Sequence, residues 1–212
     1  VKFENDFRYY MKLGTESQLA SRIIVGVGYG YGNSTELPFI KQFFIGGTNS
    51  IRAFRSRSIG PGSYLPEPGT SSFLPDQSGD IKLEFNTEYR TKLFSFVKGA
   101  VFVDAGNIWT MREDKNRPGS QFSKDWYNQI AYSSGFGFRF DFDFFIVRFY
   151  FGFPMNNHTL PKGAQWVWQS RELYNQQLID NYGAENVDRL KAQNKIPNPF
   201  GLVFHFGIGY PF

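Results

Sequence analysis

The stretch Phe145–Phe153, FIVRFYFGF, places Phe145, Val147, Phe149, Phe151 and Phe153 on one face of an extended chain. A sheet in water tolerates such a face only when a second sheet covers it, and no second sheet suggests itself in this sequence. Hydrocarbon covers it without help. Working outward, the same period of two recurs on both sides. Residues 1–13 set Val1, Phe3, Phe7, Tyr9, Met11 and Leu13 against Lys2, Glu4, Asp6, Arg8 and Lys12. Residues 19–31 oppose Ile23, Val25, Val27, Tyr29 and Tyr31 to Arg22 and a series of glycines. Further strands are expected over 81–90 (Lys82, Glu84, Asn86, Glu88 and Arg90 inward), 96–108 (Lys98, Ala100, Phe102 and Asp104 inward), 131–140 (Ser133, Gly135, Gly137 and Arg139 inward), 145–153 and 202–212. Each is about as long as a tilted bilayer crossing requires.

The connections alternate in class. Those at 14–17, 91–94 and 141–143 are short turns; those at 32–79, 111–128 and 154–199 are long. Short turns on the periplasmic side and long loops outside are the pattern of an outer-membrane barrel, so the expected fold is all-β, a transmembrane antiparallel β-barrel. Seven strands do not close in the usual even-numbered way, and the chain is expected to be the C-terminal portion of one larger barrel domain. Trp109 is expected in an aromatic girdle at the end of its strand. The last long loop, 154–199, carries Trp166 and Trp168. Over 170–195 its apolar residues Leu173, Leu178, Val187 and Leu190 have helical spacing, interrupted near Gly183. This loop is expected to cap the outer mouth, to dock a partner protein, or to be decoration.

Composition agrees. The 212 residues include 25 Phe, 12 Tyr and 4 Trp, yet the mean hydropathy is only -0.38, because polar residues interleave with the aromatic ones. No apolar run is long enough for a transmembrane helix. Cysteine is absent, which excludes disulfides and thiolate metal sites. The charge of +4 is spread along the chain with no basic block, against a nucleic-acid partner. The glycines of GVGYGYG, 26–32, have spacing two and match neither common phosphate-binding motif. No metal site, cofactor or catalytic group is expected: His158 and His205 are the only histidines, and no hydrolase motif is present.

Between the second and third strands lies FFIGGTNSIRAFRSRSIGPGSY, Phe43–Tyr64. Gly46, Gly47, Gly60, Pro61 and Gly62 permit tight turns, while Ile51, Phe54 and Ile59 supply apolar anchors. FIGGTNSIRAF followed by IGPGSY resembles the BamA/TamA superfamily of outer-membrane assembly factors, in which GG..S(V/I)RG(F/Y) marks a loop that tucks into the barrel lumen. TEYRTKLF, FVDAGNIW and the aromatic-ended HFGIGYPF are similar to the family's following strands and last strand. The resemblance implies about the last seven of roughly sixteen strands. It makes Gly46, Gly47, Ser50, Ile51, Arg52, Ala53, Phe54, Gly60 and Pro61 the loop motif, with Ala53 standing where the family has glycine; the backbone there is expected to need neither a positive φ nor a very close approach.

The resemblance also implies that Arg52 reaches the inner wall at Glu88 and Asp104, two residues that the alternation independently faces inward on adjacent strands. A guanidinium can fork to two carboxylates, at about 1.5–3 kcal/mol for each charge-assisted bond. The competing arrangement pairs those acids with Lys98 or Arg139, and Glu84 competes with Glu88. In such a family, client barrel proteins insert at a seam involving the last strand, where Gly201, Gly207, Gly209 and Pro211 weaken the ladder before the terminal Phe212. The implied partners are outer-membrane lipids, unfolded client barrels and accessory lipoproteins on the periplasmic or outer surface. A two-partner-secretion-type translocator or a passive pore is the alternative.

Overall fold

Alternating side chains bury one face and leave the other bare, and the chain forms seven antiparallel strands in one sheet of simple order β1 to β7. The computed structural model describes residues 1–32, 37–64, 77–142, 144–158, 160, 165–168, 171–192 and 201–209. The strands are β1 (Lys2–Lys12), β2 (Ser17–Gly28), β3 (Ile81–Phe94), β4 (Val97–Trp109), β5 (Ala131–Asp141), β6 (Ile146–Asn156) and β7 (Val203–Ile208). The expected Tyr210, Pro211 and Phe212 of the last strand lie outside the described residues. No described helix is long and apolar enough to cross a membrane.

One face carries exposed apolar side chains across the sheet, from Phe3 and Phe7 through Val101, Phe136, Phe138 and Phe153 to Phe204, Phe206 and Ile208. Their rings join neighbouring strands, as where Phe136 stacks on Phe151 at 5.2 Å and Phe149 on Phe204 at 6.1 Å. A bare apolar face this wide belongs in hydrocarbon. The opposite face buries Glu84, Asn86, Glu88, Asp104, Arg139, Arg148 and Tyr150.

Two strand ends and one side chain differ from the expected pattern. β3 continues through the expected turn at 91–94, because Lys92 pairs with Lys98 and Phe94 with Val97 across a bulge. The turn is compressed to Ser95 and Phe96, with Ser95 at φ 39°. β6 runs past Pro154, which ought to stop it. Pro154 stands opposite Ser133, where the register with β5 shifts, and a bulge spares proline the ladder bond it cannot donate. Trp109 is not in a girdle. It is fully buried at the end of β4, its Nε1–H donating to Gln129 Oε1 at 2.6 Å and its ring edge-on to Phe122 at 5.3 Å. The β4–β5 connection folds over it.

The last long connection contains α1 (Arg171–Tyr182) and α2 (Ala184–Ala192), broken at Gly183, whose φ is 81°. Tyr174, Leu178 and Val187 bury one another together with Leu160. Leu173, expected in this core, is exposed, and the next residue, Tyr174, takes the inward position.

Candidate functional site

The segment after Phe43 is pinned to the inner face by its own apolar residues before any charge is considered. Ile45, Ile51, Phe54 and Ile59 are buried in one cluster with Ile108 of β4 and Ala131 of β5. Gly46 has φ 97°, a conformation glycine alone adopts without strain. The reversal it makes lets Gly47 N–H donate to Phe54 O at 2.8 Å, and Gly46 N–H donates to Ser50 Oγ at 3.0 Å. Ser50 Oγ in turn donates to Glu84 Oε2 at 2.7 Å. Glu84, the competitor for Arg52, is thus engaged by Ser50 and by Lys82, whose Nζ is 3.1 Å away. Gly60 and Pro61 lie against β4, where Gly62 N–H donates to Ile108 O at 2.7 Å.

Arg52 is 1% exposed. Its main-chain N–H and its Nε both donate to Asp104 Oδ2 at 3.0 Å, and Nη2 donates to Asp104 Oδ1 at 2.8 Å. Nη1 donates to Glu88 Oε2. Asp104 therefore takes the forked side of the guanidinium as well as the backbone, and Glu88 takes the remaining nitrogen. Asn86 Nδ2 ties the loop to Asp104, donating to Asp104 Oδ1 at 3.1 Å and to Ser50 O at 3.0 Å. The guanidinium lies over the Phe102 ring at 3.7 Å and faces Tyr150 at 4.8 Å. Burial alone would lower the pKa of Arg52; the adjacent Asp104 and Glu88 carboxylates outweigh that and raise it.

Glu88 is the hub of the wall. Arg90 Nε donates to its Oε1 at 2.7 Å, Arg139 Nη1 to the same oxygen at 3.0 Å, and the Tyr150 hydroxyl lies 3.1 Å from Oε2. Arg139, named as a rival partner for the acids, thus binds Glu88 alongside Arg52, while Lys98 pairs with Asp141 at 2.7 Å. One carboxylate facing three guanidinium groups in a space without solvent is stable only because every lone pair is used. Asn86 and Phe102 stood inward by alternation but without an assigned task, and Tyr150 follows from the outward places of Phe149 and Phe151. The hydroxyl contact to Glu88 has no counterpart in the sequence.

Ala53 departs from the motif, and the structure accounts for it. Its φ is not positive, as expected, but contrary to expectation the backbone here does approach another strand very closely, and the wall makes the room. A Cβ on Gly152 of β6 would lie 2.8 Å from Arg52 O and 2.9 Å from Ala53 Cα. The missing methyl is on the strand, so the loop can carry one.

The loop also spans towards both sheet edges. Arg22 of β2 donates to Asn49 O at 3.1 Å, Arg148 of β6 donates to Asn49 Oδ1 at 3.2 Å, and Thr48 Oγ1 lies 3.3 Å from Nδ1 of His205 on β7. Gly207 makes room for this contact: a Cβ there would be 3.2 Å from Thr48 Cγ2 and 3.0 Å from Arg148 Nη2. β7 has six residues, against 11 to 14 in the other strands. Gly201 precedes β7 and Gly209 follows it at φ 93°, and Phe212 lies outside the described residues.

Comparison with known proteins agrees with this geometry. The chain is 30% identical over 86 residues to the outer membrane protein assembly factor BamA of Neisseria meningitidis serogroup B, a match covering 40% of this chain and 11% of that protein. Its fold is similar to the crystal structure of BamA from Haemophilus ducreyi lacking POTRA domains 1–3, with a TM-score of 0.57 and 22% identity over 73% of this chain and 31% of that one. The chain thus spans a minor part of either relative's length. The sheet is that of an outer-membrane β-barrel. A family model, the Omp85 superfamily domain, matches residues 1–212 throughout, and the chain belongs to that superfamily.

Proposed function

We propose that this chain works in inserting and assembling β-barrel proteins in the outer membrane, through a weak seam at β7, with the Arg52 loop holding the wall rigid behind it. The observation that carries the reading is the contrast between the two regions. Arg52 is locked by Asp104, Glu88 and two aromatic rings, whereas β7 is short, flanked by Gly201 and Gly209, and paired with β6 over six residues. An opened seam offers unpaired N–H and C=O groups to which a client strand can add by β-augmentation. No covalent step is needed. The 30% identity to a protein named as an assembly factor supports the same reading. Accessory lipoproteins and outer-membrane lipids are the partners that accompany it.

The test is photo-crosslinking in the full-length protein. A crosslinking side chain at Phe206, exposed on β7, is expected to capture unfolded barrel proteins during their insertion, while the same group at Phe7 on β1 captures none. Capture at neither position, combined with steady ion conductance through the intact protein, would favour the translocator or passive pore and defeat the proposal.

A further inference from the structure

The last long loop was expected to cap the mouth, to dock a partner or to be decoration, and its two tryptophans point elsewhere. Tyr132 of β5 is paired with Asn156 of β6, and Asn156 is bridged to Trp166, so the three stand in one cross-strand row. Backbone bonds hold the row: Asn157 N–H donates to Gln165 O at 2.8 Å and Val167 N–H to Met155 O at 3.1 Å. Residues in register share a face, and Tyr132 shares its face with Phe136 and Phe138, two and three steps of the period along β5. That is the lipid-facing side of the sheet. The rings of Tyr132 and Trp166 stack at 6.1 Å and 15°, and Trp166 stacks on Trp168 at 5.4 Å and 14°. Trp168 is 67% exposed at the free end of the stack.

We propose that the Tyr132–Trp166–Trp168 stack is a membrane anchor that lays the start of this loop into the headgroup layer of the outer leaflet. Its occupant is a lipid surface, because the stack continues the lipid-facing column of Phe136 and Phe153, whose rings are 6.2 Å apart, beyond the outer end of the strands. Indole rings favour this layer, where the flat apolar body meets acyl chain and the N–H meets polar headgroups. A stack lying over the mouth would have to rise from the inner face, the face that buries Ser133 and Arg139. The anchor would fix the outer ends of β5 and β6 in depth next to β7.

The proposal depends on the outer-membrane fold and is independent of any assembly activity, so the measurement involves no client protein. The full-length protein is placed in phosphatidylcholine vesicles containing either a nitroxide on the choline headgroup or bromine deep in the acyl chains. The emission lost in the Trp166→Phe/Trp168→Phe variant isolates the signal of these two residues. That signal is expected to be quenched about twofold by the headgroup nitroxide, less by the bromines and hardly at all by aqueous iodide. Quenching by iodide without quenching by the nitroxide would overturn the proposal. Should the double variant fail to fold, Trp168→Cys carrying a polarity-sensitive dye gives the same comparison at the most exposed ring. A dye quenched by aqueous iodide and not by the headgroup nitroxide would likewise overturn it.

Discussion

Arg52 and its two acids carry unequal shares. Asp104 receives three donors from Arg52, including the main chain, whereas Glu88 receives one and divides itself among Arg90, Arg139 and Tyr150. Asp104→Asn is therefore expected to undock the loop, at about 3–5 kcal/mol for breaking a buried ion pair. Protease clipping near Arg55 and Arg57, both in the loop, would detect it. Glu88→Gln should instead loosen the wall, leaving three guanidinium groups without their shared anion, and should lower the urea midpoint of the folded barrel more than it exposes the loop. A charge exchange of Arg52→Glu with Glu88→Arg is expected not to rescue, since the new arginine would stand among Arg90 and Arg139. Recovery of assembly in that double variant would show that the Arg52–Glu88 contact acts alone. At Gly152 a single methyl meets loop backbone, so Gly152→Ala should cost about 1–3 kcal/mol through overpacking. Ala53→Gly removes a methyl from a flexible partner and should cost about 0.5–1 kcal/mol. Urea titrations of both variants compare the two directly, and equal costs would mean that the loop shifts freely.

At the scale of elements, the start of the last loop, just after β6, contains a pH-sensitive point. His158 is buried, both ring nitrogens lack a hydrogen-bond partner among the described residues, and burial pushes its pKa down from 6.5 to about 3. The folded loop keeps the ring neutral, while an opened loop binds a proton below the ordinary value. Stability of this region is thus full above 6.5 and declines as pH falls from there towards 3, at no more than about 1.4 kcal/mol per pH unit. Hydrogen-exchange protection factors over α1 and α2, taken relative to the intrinsic exchange rate at each pH, should fall at about pH 5 relative to neutral pH, and His158→Phe should remove the difference. The two helices are held by Tyr174, Leu178 and Val187 against Leu160, a small core of low local stability. Period-two reading found every strand because each has a wet and a dry face. It misplaced the end of β6, since whether Pro154 stops a strand depends on the register shift opposite Ser133. It misplaced Trp109 because outward parity says nothing of a loop that returns to cover the ring.

For the molecule as a whole, the loop joins strands that are far apart in the sheet. Its side chains and backbone contact β2 through Arg22, β3 and β4 through Glu84, Glu88 and Asp104, β6 through Arg148 and Gly152, and β7 through His205. These contacts place the loop on the inner side of the sheet. In planar bilayers the Arg52→Glu protein is therefore expected to show larger and noisier openings than the parent, because a carboxylate facing Asp104 and Glu88 repels the loop from the wall. Unchanged conductance would mean that the loop stays seated on its apolar anchors Ile51, Phe54 and Ile59 alone.

What the amino-acid order determined by itself was the barrel class and the side of the sheet on which each strand residue lies, because a period of two is a property of the extended backbone. The meeting of Arg52 with Glu88 and Asp104 came from the family resemblance; alternation added only that both acids face inward. The tertiary structure alone decided how the charges are shared, why Ala53 is admitted, and where the tryptophans of the last loop lie. Each of these depends on atoms brought together from strands distant in sequence. Gly152 lies far from Ala53 along the chain yet against it in space, and Trp166 reaches the lipid-facing side only because Asn156 carries the row across from Tyr132.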